Sequence, residues 1–308
     1  MEKLLCLVGP TAIGKTKTAI ALAQSFEAEI VSGDSQQVYK ELSIGTAAPT
    51  KEERAAVKHH LVACRSVFES YDVHDFVNEA TKEITAITNN DKLPFLEGGT
   101  GFYAKALLYD MALGGAVDQS VDPVLEQELK DKGPQALWDK LNSIDPDAAA
   151  KIPWQNERRT LRALTVIKKS GRLFSKQQRE LKPRYDALVL GLNSDRQLVY
   201  DRINRRVDIM MEEGLLQEAK FVYDNQDKIY QAKQAIGYKE FFPYFDKQAD
   251  LATCVAKLKQ ASRRYAKRQL TYFRHQLPVT WFDPLQDPEY LDAMKKVVKN
   301  WLNGARPV

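Results

Sequence analysis

A glycine loop stands between an apolar run and a helical pattern near the start of the sequence. The loop reads GPTAIGKT, from Gly9 to Thr16, and follows the apolar segment Leu4–Val8. Strand, glycine loop and helix in that order are typical of a phosphate-binding loop, whose backbone N–H groups cradle a polyphosphate. Lys15 would add its charge, and the Thr16 hydroxyl would bind magnesium. The residues expected at the phosphates are Gly9, Pro10, Thr11, Ala12, Ile13, Gly14, Lys15 and Thr16. The alternative is a glycine-rich turn that joins a strand to a helix and binds no phosphate.

The first hundred residues alternate between strand and helix patterns. Predicted strands cover Leu4–Val8, Ala28–Ser32 and Lys92–Glu97, and helices follow Gly14 and Gly101. Such alternation predicts a parallel sheet flanked by helices, which binds ligands at the carboxyl ends of its strands. Three polar, glycine-containing segments each follow a strand, so we expect them to converge on one crevice. They are GPTAIGKT, SGDSQQVY (residues 32–39) and EGGTGFY (residues 97–103).

The pattern changes at about residue 114, from which only helices are predicted up to residue 184. The apolar run Ala187–Leu192 then predicts a return to the sheet, and all that follows is predicted to be helical. We therefore expect an α/β fold with a P-loop core in residues 1–114 and 185–308, and a helical insertion in residues 115–184. Met210 and Met211 are expected in the core, as parts of a helix that Gly214 ends.

Positive charge is concentrated in two segments, although the formal net charge is only +4. Residues 156–184 hold ten Lys or Arg and two Glu, and residues 257–274 hold seven basic residues and no acidic one. This asymmetry favours a polyanion larger than the P-loop ligand, and hence a nucleic acid. The alternative is a pair of solvated helix faces. Aromatic residues within the basic segments could stack on bases: Phe174, Tyr265, Tyr272 and Phe273.

Cysteine usage and hydropathy exclude several classes of protein. The three cysteines are far apart and lack the spacing of a metal site, which favours a reducing cytoplasm without structural zinc. No apolar stretch approaches the roughly 20 residues of a membrane span, and no export signal is visible. We therefore expect a cytoplasmic protein without a membrane anchor.

Two acidic residues stand where predicted strands end. Asp34 could accept a proton or bind magnesium through water, and its alternative role is to cap a helix that begins at Ser35 or Gln36. Glu97 ends an apolar run, as the acid of a nucleotide hydrolase does, and in that role it would favour ATP chemistry. Thr100, among the following glycines, could donate to a ligand. His59 and His60 are expected to be packed or hydrogen-bonded.

Eight segments taken together resemble one family. In chain order they are GPTAIGKT, GDSQQVYKELSIGTAAPT (33–50), HHLV (59–62), EGGTGFY (97–103), RRTLRAL (158–164), RRVDIMMEEGLLQEA (205–219), QAIGYKE (234–240) and KRQLTYFR (267–274). Their order and content are similar to those of the tRNA dimethylallyltransferase family, also called tRNA isopentenyltransferase. The resemblance implies transfer of a dimethylallyl group from dimethylallyl diphosphate to the exocyclic amine of adenosine 37, next to the anticodon of tRNA.

The resemblance also implies roles for particular residues. The P-loop would hold the diphosphate leaving group with magnesium, and Thr16 matches the P-loop threonine of the family. Asp34 matches the proposed general base, and Arg206 resembles the arginine that acts at the diphosphate, with Arg202 as its neighbour. The residues assigned to tRNA contact, on the anticodon stem and loop, are Asp34, Ser35, Gln36, Gln37, Thr100, Arg158, Arg159, Arg162, Lys267 and Arg268.

Two positions depart from the family pattern. Glu126 stands where relatives often carry an RNA-contacting arginine, and Gln234 stands where some have arginine. Neither position lies in the P-loop or at Asp34, so the expected dimethylallyl transfer is unchanged. Three other functions stay open: a prenyltransferase acting on free adenine nucleotide, a small-molecule kinase with magnesium-ATP in the P-loop, and an RNA-binding protein gated by nucleotide. A monomer is expected.

Overall fold

The computed structural model describes residues 1–111, 122–177 and 181–305, and divides the chain into two compact units. The first comprises Met1–Tyr109 and Pro183–Val308, and the second comprises Asp110–Lys182. The predicted boundary at residue 114 lies outside the described residues, and the other, at residue 184, lies two residues after the end of the second unit. Tyr109 and Pro183 form an isolated antiparallel β-bridge, and the backbone N–H of Arg184 donates to the Leu108 carbonyl at 2.9 Å. These contacts tie the returning chain to the first unit.

A parallel six-stranded sheet forms the centre of the first unit, as far as the structure describes it. The strands are β1 (Lys3–Val8), β2 (Ala28–Ser32), β3 (His59–His60), β4 (Leu93–Gly98), β5 (Asp186–Leu192) and β6 (Thr280–Phe282). Their order across the sheet is β3-β2-β4-β1-β5-β6, with every pairing parallel. The predicted α/β fold is confirmed, with all four strands that the sequence predicted.

The expectation of helices alone after residue 192 is wrong, because β6 pairs with β5 at the sheet edge. Strand β3 was also missed. Each spans only two or three half-buried residues, too few to show a strand period. By contrast, β1 is recognisable from Leu4 to Val8 because helices cover both faces of a parallel sheet, which leaves this strand an unbroken apolar run.

Helices flank the sheet of the first unit, and other helices form the described part of the second unit. The first unit contains α1 (Lys15–Ser25), α2 (Lys51–Ala56), α3 (Val73–Asn89), α4 (Gly101–Leu108), α8 (Arg196–Glu212), α9 (Leu215–Asp224), α10 (Phe242–Phe245), α11 (Leu251–Gln276) and α12 (Tyr290–Leu302), with 3₁₀ turns at Ala232–Gln234 and Lys239–Phe241. The second contains α5 (Pro123–Ile144), α6 (Pro146–Ala149), α7 (Glu157–Ser170) and a 3₁₀ turn at Phe174–Gln177. Among the described residues, no helix is both long and apolar enough to cross a bilayer.

Helix α8 carries the arginines assigned to the diphosphate. Ile203 and Val207 are buried on one face, as predicted, and Gly214 separates α8 from α9 with a left-handed backbone. Met210 and Met211 are only partly buried, so their expected place in the core is wrong. They occupy the last turn of α8.

Candidate active site

The P-loop connects β1 to α1 in a conformation that needs its glycines. Gly14 has φ 107° and immediately precedes α1, a backbone geometry that side chains rarely adopt. An added Cβ at Gly9 would lie 2.7 Å from the Leu192 carbonyl oxygen. Lys15 Nζ donates to the Pro10 carbonyl at 3.0 Å, which holds the ammonium group across the loop. The loop backbone is thus set in place, with its cation, before any ligand binds.

The three glycine-containing segments meet at the carboxyl edge of the sheet, as predicted. Gly33 donates its backbone N–H to the Glu97 carbonyl at 2.7 Å. An added Cβ at Gly98 would lie 2.5 Å from the Gly33 carbonyl carbon, so the second and third segments touch through their backbones. Ser35 donates its N–H to Thr100 Oγ1 at 3.1 Å. Gly98 has no room for a Cβ because the Gly33 backbone lies directly against it.

Asp34 lies in a turn and not at a helix N-terminus. Its Oδ1 accepts the Gln36 backbone N–H at 2.9 Å, and no helix begins at Ser35 or Gln36, so the helix-cap alternative is wrong. Its Oδ2 would lie 3.7 Å from a Cβ built on Gly99. One oxygen therefore fixes the carboxylate, and the other faces the glycine segment after β4, as a base aimed into the crevice requires.

Gln269 on α11 joins the P-loop to the glycine segment after β4. Its Oε1 accepts the Thr11 backbone N–H at 2.9 Å, and its Nε2 donates to the Gly99 carbonyl at 2.9 Å. Its exposed fraction is only 5%. Sequence reasoning missed this residue, because a glutamine directly after Lys267 and Arg268 reads as part of a solvated basic face. The signal available was its place inside the KRQLTYFR motif.

Four charged groups interact electrostatically in the crevice. Burial lowers the pKa of Lys15, while Glu97 and Asp34 act in the opposite direction. Burial also lowers the pKa of Arg206, again opposed by Asp34 and Glu97. Burial raises the pKa of Glu97 to about 7, although Lys15 favours its ionised form. Two partly buried cations beside two carboxylates can receive an anion and a proton.

Arg202 and Arg206 have different surroundings on α8. Arg202 Nε donates to the Ala12 carbonyl at 2.9 Å and so supports the P-loop from outside, whereas Arg206 is the arginine in electrostatic contact with Asp34 and Glu97. The structure therefore places Arg206, as the resemblance implied, among the charged groups of the crevice. The role of Arg206 at a diphosphate stays a prediction.

The residues after Asp34 do not all reach the crevice surface. Gln37 is 8% exposed, accepts from Ser32 Oγ at 3.2 Å, and donates to the Ala47 carbonyl at 3.2 Å. Both ends of its side-chain amide are used internally, and its RNA contact stays a prediction. Gln36 is different, since its Oε1 is buried without a hydrogen bond among the described residues. Ser35 and Gln36 remain candidates for RNA contact.

Glu218 holds the segment that Gln37 contacts, a role not foreseen from sequence. Its carboxylate accepts the backbone N–H groups of Ser43, Ile44 and Gly45 at 2.8–3.0 Å, and the Tyr238 hydroxyl at 2.9 Å. Glu218 therefore joins the segments around residues 43 and 238 to its own helix α9.

Basic side chains are exposed on both units. On α11, Lys267 and Arg268 are exposed and border a groove of about 580 Å³ that also contacts Tyr272. On α7, Arg158 and Arg159 are exposed, and Arg162 is partly buried with an interaction partner.

The aromatic residues of the basic segments differ in exposure from one another, and the two positions that depart from the family pattern are both exposed. Phe273 is completely buried, so its predicted stacking role is wrong, while Phe174, Tyr265 and Tyr272 stay partly accessible. Tyr265 lies beside Thr100 and Gln269. Glu126 on α5 and Gln234 are both exposed, as surface positions that could contact RNA would be.

Comparison with known proteins gives one consistent result. The family profile described as "IPP transferase" matches residues 37–276. The tRNA dimethylallyltransferase of Lactobacillus helveticus is 59% identical over 98% of this chain and 100% of its own length, and that of Latilactobacillus sakei is 44% identical over 98% of both.

Solved structures agree with the sequence matches. The full-length tRNA isopentenylpyrophosphate transferase of Bacillus halodurans superposes with a TM-score of 0.75 at 44% identity, covering 98% of this chain and 97% of that one. A eukaryotic dimethylallyltransferase described as acting on tRNA superposes with a TM-score of 0.85 at 28% identity, covering 100% of this chain and 81% of that one. By sequence, fold and the arrangement of its crevice, this chain belongs to the IPP transferase family, that of the tRNA dimethylallyltransferases.

Proposed function

We propose that this protein transfers a dimethylallyl group from dimethylallyl diphosphate to the exocyclic amine of adenosine 37 in tRNA and releases diphosphate. The relatives named tRNA dimethylallyltransferase, similar over the whole chain, support the reaction. The observation that carries it is the convergence of the P-loop and Asp34 in one crevice: Gln269 bonds to Thr11 of the loop and to Gly99, and a Cβ built on Gly99 would lie 3.7 Å from Asp34 Oδ2. One crevice thus offers a site for the leaving diphosphate and a base for the incoming amine.

The bond changes assign a task to each charged group. The allylic C–O bond breaks and its electron pair stays on the diphosphate, while the amine lone pair of adenosine forms the new N–C bond. The adenosine amine loses one proton, which the Asp34 carboxylate accepts. Lys15, Arg206 and the loop N–H groups stabilise the negative charge that grows on the diphosphate.

Magnesium is the cofactor that we propose for the P-loop. Among the described residues, no group of three or more His, Cys, Asp or Glu could hold a metal by itself. That fits magnesium, which binds through one or two protein oxygens together with substrate phosphates and water. Thr16 would supply its hydroxyl, and the ion when bound would neutralise the diphosphate.

The basic faces are proposed to bind the anticodon stem and loop. Arg158, Arg159 and Arg162 on α7, together with Lys267 and Arg268 on α11, would contact phosphates, with affinity that falls as salt rises. Adenosine 37 would leave its stack to reach the crevice, at a cost of a few kcal/mol. Thr100, Ser35 and Gln36 line the approach to Asp34 and are proposed to contact this base.

We further propose that the protein acts as a monomer in the cytoplasm, where its tRNA substrate is found. The exposed large apolar side chains of the described residues are distributed over both units, as in a protein without an extensive apolar interface. Light scattering coupled to gel filtration should give the mass of one 35.0 kDa chain.

The test is a prenylation assay on defined tRNA. The protein is incubated with magnesium, dimethylallyl diphosphate and an unmodified tRNA carrying adenosines at 36, 37 and 38, and its nucleosides are analysed by mass spectrometry. We expect a gain of one prenyl group on adenosine 37. No gain on tRNA, with prenylation of free adenine nucleotide or consumption of ATP when either is supplied in place of tRNA, would contradict the proposal and favour one of the other two enzymes.

A further inference from the structure

Glu97 is a buried carboxylate in the crevice to which the proposed reaction gives no task. It lies near the carboxyl end of β4, level with Leu7 of β1 and Ser32 of β2, beside the strand that leads into the P-loop. Its exposed fraction is 4%, and burial and charged neighbours, without any hydrogen bond from the described residues, determine its pKa. A largely buried carboxylate without a protein donor needs a cation or water to stabilise its ionised form, so its position suits a partner from outside the protein.

The charges around Glu97 narrow the choice of that partner. Lys15 and Arg206 favour its ionised form, and Asp34 opposes it. A diphosphate in the P-loop would bring further negative charge next to Lys15, so that Glu97 and the diphosphate would compete for the same cations. Without a further cation, Glu97 would repel the substrate. With a divalent cation between them, the same carboxylate would attract it.

We propose that Glu97 couples magnesium to diphosphate binding, by contacting the hydrated ion that Thr16 and the diphosphate hold. The inference deepens the proposed function, on which it rests, because it takes diphosphate as the ligand of the P-loop. A hydrated magnesium ion fits this place, since it keeps several waters that a carboxylate can accept from. The site would then select the magnesium complex over the free diphosphate.

The experiment measures inorganic pyrophosphate binding by titration calorimetry at pH 8.5, where Glu97 is ionised. Wild type and Glu97→Gln are compared in excess magnesium and in EDTA, in the full chain. In EDTA we expect the variant to bind about tenfold more tightly than wild type, because the repulsion is gone. We expect magnesium to increase its affinity at least tenfold less than it does for wild type, a coupling of ordinary size.

Two further variants keep the outcome decisive. Glu97→Asp retains the charge and should keep the weak binding in EDTA, and Glu97→Met supplies a second neutral side chain if the glutamine variant folds poorly. Neutral variants that change pyrophosphate affinity by the same factor with and without magnesium would overturn the inference and leave Glu97 as a charge balance for Lys15. A wild type that binds no pyrophosphate even with magnesium would overturn the proposed function as well.

Discussion

Two buried glutamates on neighbouring strands lie at opposite ends of the sheet and have opposite surroundings. Glu29 stands at the amino end of β2, level with Pro94, and Glu97 stands at the carboxyl end of β4. Their exposed fractions are nearly equal, 5% and 4%. Yet the pKa of Glu29 is lowered to about 2, whereas the pKa of Glu97 is raised to about 7.

The difference comes from the hydrogen-bond donors. Burial alone would raise the pKa of Glu29, but Lys92 at 2.7 Å, His60 at 2.7 Å and Lys58 at 3.1 Å outweigh it. Glu97 accepts no side-chain hydrogen bond from the described residues, and burial dominates. The amino end of the sheet is thus neutralised within the protein. At the carboxyl end, where parallel sheets bind ligands, no protein hydrogen bond stabilises the charge of Glu97, which a bound substrate and its cation would balance.

The largest expected effect is at Asp34. Asp34→Asn should lower single-turnover prenyl transfer about 10³-fold, because the amide cannot accept the proton of the adenosine amine. Its tRNA affinity should stay within about twofold of wild type, measured by filter binding, since the amide oxygen can still accept the Gln36 N–H. A rate near that of wild type would remove Asp34 as the base.

Glu29→Gln tests the opposite end of the sheet. It should lower the free energy of unfolding by about 3 kcal/mol at pH 7, as the shift of its pKa implies. A lowered pKa contributes stability that is present above the unfolded value of 4.5, so the difference should shrink as pH falls from 4.5 towards 2. Urea unfolding over this pH range measures it. The exposed Glu2→Gln is the control, and a loss that did not vary with pH would contradict the assignment.

Much of the comparison could be anticipated from the sequence. The P-loop, the four longer strands and the meeting of three segments follow from apolar runs that end in glycine, because a covered parallel sheet imposes that pattern. The sequence could not tell Glu29 from Glu97, since the donors around Glu29 come from residues 58, 60 and 92, which only the fold brings together. Gln269 and Glu218 were missed for the same reason, because their partners are backbone atoms of distant segments.

Gln269→Leu tests how α11 supports the P-loop. The Thr11 N–H and the Gly99 carbonyl would lose a shared partner, at a cost of about 1–3 kcal/mol. We expect the KM for dimethylallyl diphosphate to rise about tenfold, measured by steady-state kinetics at saturating tRNA. Gln260→Leu, at an exposed position of the same helix, is the control. An equal response of both variants would mean that Gln269 has no specific role.

The smallest effect is expected at Glu218. Glu218→Gln replaces one carboxylate oxygen with an amide donor that faces backbone N–H groups, which should weaken the 43–45 segment by about 1 kcal/mol. Hydrogen exchange of the Ser43, Ile44 and Gly45 amides should accelerate several-fold, whereas the exposed Glu212→Gln should leave them unchanged. Unchanged exchange in Glu218→Gln would show that the segment is held by other contacts.

The most direct test of the contrast between the two ends of the sheet is one pair of variants in two assays. Glu29→Gln and Glu97→Gln are each followed by urea unfolding at pH 8 and by single-turnover prenyl transfer in excess magnesium with subsaturating dimethylallyl diphosphate. A raised carboxyl pKa removes stability as pH rises from 4.5 through 7, so Glu97→Gln should unfold at higher urea than wild type and transfer more slowly. Glu29→Gln should unfold at lower urea and transfer at the wild-type rate. If both variants lost stability and kept their transfer rate, the two ends of the sheet would not differ in the way described.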